Sequence, residues 1–260
     1  MTKKEITTRL VMPIQSAGQI GKSSTLSALI EYLKAGEVPY RALDCDPEHK
    51  TLSGWHPEAG RCGFRKESDL LRIFEHLGKS PVELVDFPAQ ATSLILSAFE
   101  KYNATALLAE KGVKITILIF ANEDQAGLAG AYKIVSALGK NVDYLVVENS
   151  AKFGSEGFWE SKVGELFKDH PVIRLEPLEG EIVTKVKDLS KVAGRTINFI
   201  EASSQLDGFH GAGLECWKDS TFSEIHKNRS LLLPTGVKVK GTFKEKSEKS
   251  QSEINITDLF

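Results

Sequence analysis

Two patterns of apolar and polar residues take turns along this chain. Short, largely apolar runs read as buried strands: Leu10–Ile14, Val38–Leu43, Val82–Val85, Lys114–Phe120, Asp143–Val147 and Pro171–Leu175. Between them, apolar residues recur every three or four positions, which predicts helices. Leu26, Leu29, Ile30 and Leu33 mark the first, and Leu70, Leu71, Phe74 and Leu77 mark a short amphipathic one. Longer helices are predicted over Thr92–Leu108, Asn122–Leu138 and Glu181–Val192, and another around Phe158, Val163 and Phe167. Trp217–Leu233 predicts a last helix, whereas the glycine-rich, polar stretch Glu201–Cys216 gives no firm element. Trp55–Arg65, rich in Gly, Pro and charge, reads as a loop. Strand–helix alternation of this kind predicts an α/β fold. The expected form is a three-layer sandwich, a mostly parallel sheet covered by helices on both faces.

Composition narrows the class without naming a function. At 260 residues, the chain is long enough for one large domain with a buried core. Its formal net charge of −2 argues against a general nucleic-acid coat, although Arg61–Lys66 and Lys238–Lys249 are local basic clusters. Three cysteines, Cys45, Cys62 and Cys216, stand far apart in sequence and are odd in number. That pattern suggests reduced thiols in the cytoplasm rather than a disulfide framework or a zinc site. The polar stretch Met1–Arg9 lacks the apolar core of a signal peptide, and no apolar run is long enough to span a bilayer. A cytoplasmic protein without membrane insertion is expected.

The chemistry concentrates at the carboxyl ends of the predicted strands. Ser16–Thr25 reads S-A-G-Q-I-G-K-S-S-T between the first strand and the first helix, the setting a phosphate-binding loop requires. Gly18 and Gly21 allow backbone N–H groups of the loop, through Gln19, Ile20, Ser23 and Ser24, to curl around an anion. Lys22 could then reach the β- and γ-phosphates, and the Ser23 hydroxyl could ligate Mg²⁺. The second strand runs into Asp44-Cys45-Asp46-Pro47, and the third into Asp86-Phe87-Pro88-Ala89. Carboxylates placed there suit holding Mg²⁺ or orienting an attacking water. The fifth strand ends at Asn149, whose amide can donate and accept along a purine edge, or can shape a turn.

The loop departs from G-x-x-x-x-G-K-[ST], because the first glycine would fall on Ser16. It resembles the variant K-G-G-x-G-K-[ST] of the ParA/MinD-like, deviant-Walker-A P-loop ATPases. Gly18, Gly21, Lys22 and Ser23 match that pattern, while Gln19 replaces a glycine and Ala17 replaces the signature lysine. Asp44–Pro47 and Asp86–Ala89 resemble the family's two switch segments. Asn149 and Pro177 fall where the family places its adenine-binding turns. The resemblance covers about Leu10–Pro177, and looks closest to plasmid partition proteins and to conjugative-transfer ATPases of the StbB and TraL types.

The resemblance implies ATP and Mg²⁺ as cofactors, and hydrolysis by two subunits that sandwich the nucleotide. Lys22 and Asp46 would be the catalytic residues, with Asp44 supporting Asp46. Ser23, Asp46 and Asp86 would surround the metal. Plasmid DNA, or an adaptor or transfer protein bound to it, would be the partner. Ala17 cannot supply the cation that crosses the dimer interface, so hydrolysis is expected to be slow, absent, or served by another cation such as Lys50 or Arg65. Two further readings stay open: a nucleotide-gated binding module with little turnover, and a metabolic ligase of the same fold. The nucleotide-binding domain is expected over residues 1–238, and a charged, disordered tail over 239–260. That tail ends in Ile254, Ile256, Leu259 and Phe260 among polar residues, either a short partner-binding peptide or a frayed end.

Overall fold

The computed structural model describes residues 7–241 and Phe243. From the amino end, strand β1 (Thr8–Pro13) leads to helix α1 (Lys22–Ala35), β2 (Tyr40–Asp44), α2 (Thr51–Trp55) and β3 (Gly60–Arg61). Next come α3 (Glu67–Glu75), β4 (Val82–Asp86), α4 (Thr92–Lys101), α5 (Ala104–Glu110), β5 (Val113–Phe120) and α6 (Gln125–Leu138). The chain continues through β6 (Asp143–Asn149), α7 (Glu156–Glu160), α8 (Lys162–Glu165) and β7 (Val172–Leu175). It closes with α9 (Gly180–Ala193), α10 (Phe199–Ser203), α11 (Gly208–Lys227) and α12 (Arg229–Leu232).

The seven strands form one sheet in the order β3-β2-β4-β1-β5-β6-β7, and every pairing is parallel. Alternate residues along a strand face opposite sides. Leu10, Met12, Ile115, Ile117 and Ile119 therefore join one core, with apolar faces of α3, α4, α5 and α6. Val11, Leu84, Leu118, Phe120 and Leu145 join the other, under α1 and α11. This is the three-layer α/β sandwich the apolar pattern predicts. Buried on both faces, the central strands lack hydrophobic–polar alternation, as parallel strands under helices do.

Four local expectations change. The loop predicted over Trp55–Arg65 contains α2's last residue and the two-residue strand β3, which is ordered by pairing with β2. The helix predicted over Thr92–Leu108 breaks at Asn103, which takes φ 47°, and α5 starts afresh. A single helix predicted around Phe158 to Phe167 is two short ones. The stretch without a predicted element, together with the start of the expected last helix, forms α10 and the 20-residue α11.

Within the stretch expected as a tail, the first residues pack on the body of the fold. Val239 packs on the α1-side core, the Lys240 amide donates to the Gly36 carbonyl, and the Phe243 ring lies 4.9 Å from that of Tyr32, tilted against it. The rest of the tail, with the terminal Ile254–Phe260 peptide, lies outside the described residues. Among the described residues, no helix is long and apolar enough to cross a membrane.

Candidate functional site

Residues Ile14–Gly21 join β1 to α1 at the carboxyl edge of the sheet. Parallel strand order places the crevice of such folds at this edge, where neighbouring connections diverge to opposite faces. The loop carries two left-handed residues, Gln19 at φ 57° and Gly21 at φ 95°. The position where Gln19 replaces a glycine thus still adopts the backbone glycine favours, at a cost of about 1–2 kcal/mol. Gly21 takes a backbone that a side chain would strain, and one would also displace a neighbour. A Cβ on it would lie 2.1 Å from Asn149 Nδ2.

The loop is tied to its surroundings by side chains that motif matching did not single out. The buried Gln15 donates through Nε2 to the Phe120 and Gly127 carbonyls, at 3.1 and 2.9 Å, and accepts from the Phe120 amide at 2.8 Å. It clasps the loop to β5 and α6. The Ser16 hydroxyl donates to Thr92 Oγ1 at 2.7 Å, and Thr92 in turn donates to the Ile14 carbonyl. Thr92 opens α4 shortly after the Asp86–Ala89 segment, so the β1–α1 loop and the start of α4 share one hydrogen-bond chain. Polar residues beside a glycine-rich turn were the available signal for both contacts. Their partners are set by tertiary structure alone.

Lys22 is buried at the start of α1, and its Nζ donates to the carbonyls of Gln15 and Ala17 at 3.1 and 3.0 Å. Burial pulls its pKa down, opposed by the charges of Asp86 and Asp46. Asp86 is 3% exposed at the end of β4, and burial pushes its pKa up to about 7. Asp44 and Asp46 push in the same direction, while the Ser23 hydroxyl and Lys22 oppose it. Register explains the crowding: Asp44 and Asp86 are cross-strand neighbours on β2 and β4.

Asp44 and Asp46 differ in what they hold. Both oxygens of the buried Asp44 accept backbone amides, Asp46 at 3.1 Å and Ser53 at 2.8 Å. Asp46 is half-buried, and its Oδ1 accepts the amides of Glu48 and His49 at 2.8 and 3.1 Å. Asp44 therefore anchors the backbone that carries Asp46.

The structure thus brings Lys22, Ser23, Asp46 and Asp86 together. Their donor set is a hydroxyl and carboxylates, hard oxygen ligands of the kind Mg²⁺ takes. Asp86 is also a buried carboxylate lacking a full counter-charge, which a divalent cation would relieve. Ala17 turns its methyl onto the α1-side core, and the suggested substitutes, Lys50 and Arg65, are both exposed.

Asn149 ends β6 beside the loop. Its Nδ2 donates to the Ile20 carbonyl at 3.2 Å. A cavity of about 570 Å³ opens next to it, lined in part by Ser24, Asn149, Lys152, Glu176, Leu178 and Trp217. Pro177 is exposed, and it is its neighbours Glu176 and Leu178 that form the cavity wall. Asn149→Ala is expected to lower the unfolding free energy by about 1–2 kcal/mol, because the Ile20 carbonyl loses its partner. Urea unfolding of the unliganded protein measures this. An unchanged midpoint would show that the contact does not hold the loop.

No protein-family model matches the chain, and no curated protein does. Solved structures similar to it include a ParA family ATPase from Chlorobium tepidum. That likeness is 11% identity over 82% of this chain and 98% of that one, with a TM-score of 0.45. Another is MinD in the MinC:MinD cell division complex of Aquifex aeolicus, at 11% identity over 85% and 96%, with a TM-score of 0.48. A third is FlhF complexed with GMPPNP and Mg²⁺, at 14% identity over 65% of this chain and 66% of that one, with a TM-score of 0.41. Likeness at this level says nothing of what this chain binds.

Proposed function

We propose that this protein is a Mg²⁺-dependent, ATP-binding switch of the ParA/MinD-like kind, with slow hydrolysis. One observation carries the reading: Lys22, Ser23, Asp46 and Asp86 converge beneath a loop whose backbone turns left-handed at both Gln19 and Gly21. A structural ion-pair cluster has no use for such a loop, whereas a polyphosphate does.

In this reading the amides of Gly18–Ser24 and the α1 N-terminus cradle the phosphates. Lys22 exchanges the carbonyls of Gln15 and Ala17 for phosphate oxygens. Ser23 and Asp86 hold Mg²⁺, which when bound would offset charge on the β- and γ-oxygens. Asp46 orients the attacking water, on a backbone that Asp44 fixes. Asn149 and the adjoining cavity take the base. Ala17 leaves the site without the cation that would stabilise transition-state charge across a dimer, so turnover is slow. The Ser16–Thr92 link carries the state of the loop into the second switch segment. Within this class we favour a nucleotide-dependent homodimer acting in plasmid partition or conjugative transfer, because the order of motifs resembles those proteins.

The test is Mg²⁺-dependent ATP binding and turnover by the purified protein, alone and with double-stranded DNA, with Lys22→Ala as the blank. Turnover above the blank that DNA stimulates supports the partition-type reading. Binding with nucleotide-dependent dimerisation but no turnover makes the protein a gated binding module, and turnover only with a small acid or amine makes it a ligase. Absence of ATP binding overturns the proposal. Asp46→Ala is expected to keep binding and to lose turnover by about 10²-fold or more, the usual worth of a positioned acid–base group. Normal turnover in that variant would remove Asp46 from the mechanism.

A further inference from the structure

Cys45 and Cys62, distant in sequence, meet in the fold. β2 and β3 pair with Leu43 opposite Gly60 and Asp44 opposite Arg61. The next rung sets Cys45 opposite Cys62, and the Cys62 amide continues the ladder by donating to the Asp44 carbonyl at 2.9 Å. Side chains two apart on a strand share a face. Leu43 and Cys45 accordingly belong to one apolar cluster, and Cys62 packs on the same cluster. Register and shared cluster thus put the two thiols side by side on one face of the sheet edge. Neighbouring strands run about 4.8 Å apart, within the Cα separation of about 4.4–6.8 Å that a disulfide spans.

Their surroundings differ in the way a reactive pair requires. Cys45 is fully buried, beyond the reach of solutes, while Cys62 is half-buried. Cys62 lines a cavity of about 350 Å³ with Arg41, Arg61, Arg72 and His76. Arg72 also pairs with Asp69, and Arg41 stands 3.8 Å from Glu83, but neither acid lines the cavity. Guanidinium donors around an accessible sulfur can offset the charge that develops on oxygen as a peroxide bond breaks.

We propose that Cys45 and Cys62 are a thiol–disulfide modification site, with Cys62 the thiol that meets hydrogen peroxide and Cys45 the thiol that resolves it. The Cys62 sulfur attacks the peroxide. An S–O bond forms, the O–O bond breaks, and the departing hydroxide is protonated to water. Cys62 becomes a sulfenic acid. The Cys45 sulfur then attacks the Cys62 sulfur, the S–S bond forms, the S–O bond breaks, and the leaving hydroxide takes the Cys45 proton. In balance, two thiols are oxidised to one disulfide while one hydrogen peroxide is reduced to two waters. The bond would staple the Asp44–Asp46 segment to the sheet edge. Cys216, exposed on α11, takes no part. The inference is independent of nucleotide binding.

The test treats the intact, reduced protein with a small excess of hydrogen peroxide and reads thiol content in denaturant, intact mass and non-reducing peptide maps. The expected result is loss of two of the three thiols, a mass decrease of two hydrogens, a linked peptide pair containing Cys45 and Cys62, and full reversal by dithiothreitol. In Cys45→Ala the sulfenic acid should persist and be trapped by dimedone, while in Cys62→Ser the Cys45 thiol should stay free. The proposal is overturned if wild-type Cys62 passes to sulfinic acid with Cys45 still free. It is also overturned if both thiols survive peroxide that oxidises Cys216.

Discussion

Lys22→Ala is expected to weaken ATP binding by a factor on the order of 10²–10⁴ and to leave the fold standing. The first half follows from what the ammonium does when phosphate arrives. In the proposed function it would give up the Gln15 and Ala17 carbonyls and make charge-assisted bonds worth roughly 1.5–3 kcal/mol each. Losing two of them is about 3–6 kcal/mol, at about 1.4 kcal/mol per tenfold in affinity. The second half follows from where the ammonium sits now. Burial already depresses its pKa, so the charged form is poorly accommodated in the unliganded site despite Asp86 and Asp46. Ser16, between the two carbonyls it holds, is exposed, so water can replace Nζ at the loop.

Removal of the side chain is therefore nearly neutral for folding, and urea midpoints of the two proteins should agree closely. Titration calorimetry with Mg²⁺-ATP supplies the affinity. Equal affinity with equal stability would mean that the loop is no phosphate cradle, and the proposed function would fall with it.

The strands and the carboxylates were readable because they rest on local, dense signals. The largely apolar I-T-I-L-I-F of β5 and the V-E-L-V-D of β4 announce a buried parallel sheet and a charge at its carboxyl edge. What escaped depends on contacts between distant residues. β3 is two residues long, too short for any periodicity, and exists through pairing with β2. The glycines of α11 lower intrinsic helix preference, yet neighbouring atoms crowd two of them. A Cβ on Gly211 would meet the Leu206 carbonyl oxygen at 2.2 Å, and one on Gly213 would meet Ile182 at 2.8 Å. Phe243 stands in a run of Lys, Glu and Ser, and the rings of Tyr32, Phe222 and His226 make it part of the body.

The candidate site divides in the same way. Lys22, Ser23, Asp46 and Asp86 are visible as motifs, while the Gln15 clasp and the Ser16–Thr92 link are not, because their partners lie on β5, α6 and α4. Asn149 shows a further limit. Its position was legible, but its present partner, the Ile20 carbonyl, was not.

Asp86→Asn is expected to stabilise the unliganded protein above neutral pH and to abolish Mg²⁺-dependent tightening of ATP binding. The wild-type carboxyl has its pKa pushed from 3.8 up to about 7, chiefly by burial. An acid raised in the folded state holds its proton more tightly there than in the unfolded chain. The stability this contributes is complete below about 4 and is lost as pH rises through about 7, after which the buried charge costs its full amount. At about 1.36 kcal/mol per pKa unit, that amount is at most roughly 4 kcal/mol. Asparagine has the same shape and no charge to bury. Lys22 loses an anionic neighbour in the exchange, so the gain at pH 8 should be about 1–3 kcal/mol, dwindling towards pH 4. Urea unfolding of both proteins between pH 4 and 8, without metal or nucleotide, isolates the difference, since every other carboxylate is common to both. With saturating Mg²⁺-ATP the order should reverse, because the ionised wild-type carboxylate then has the cation it lacks and the amide does not. A difference that stays flat across the pH range would show that Asp86 titrates normally. Wild-type stabilisation by Mg²⁺-ATP that persists in the variant would remove Asp86 from the metal site.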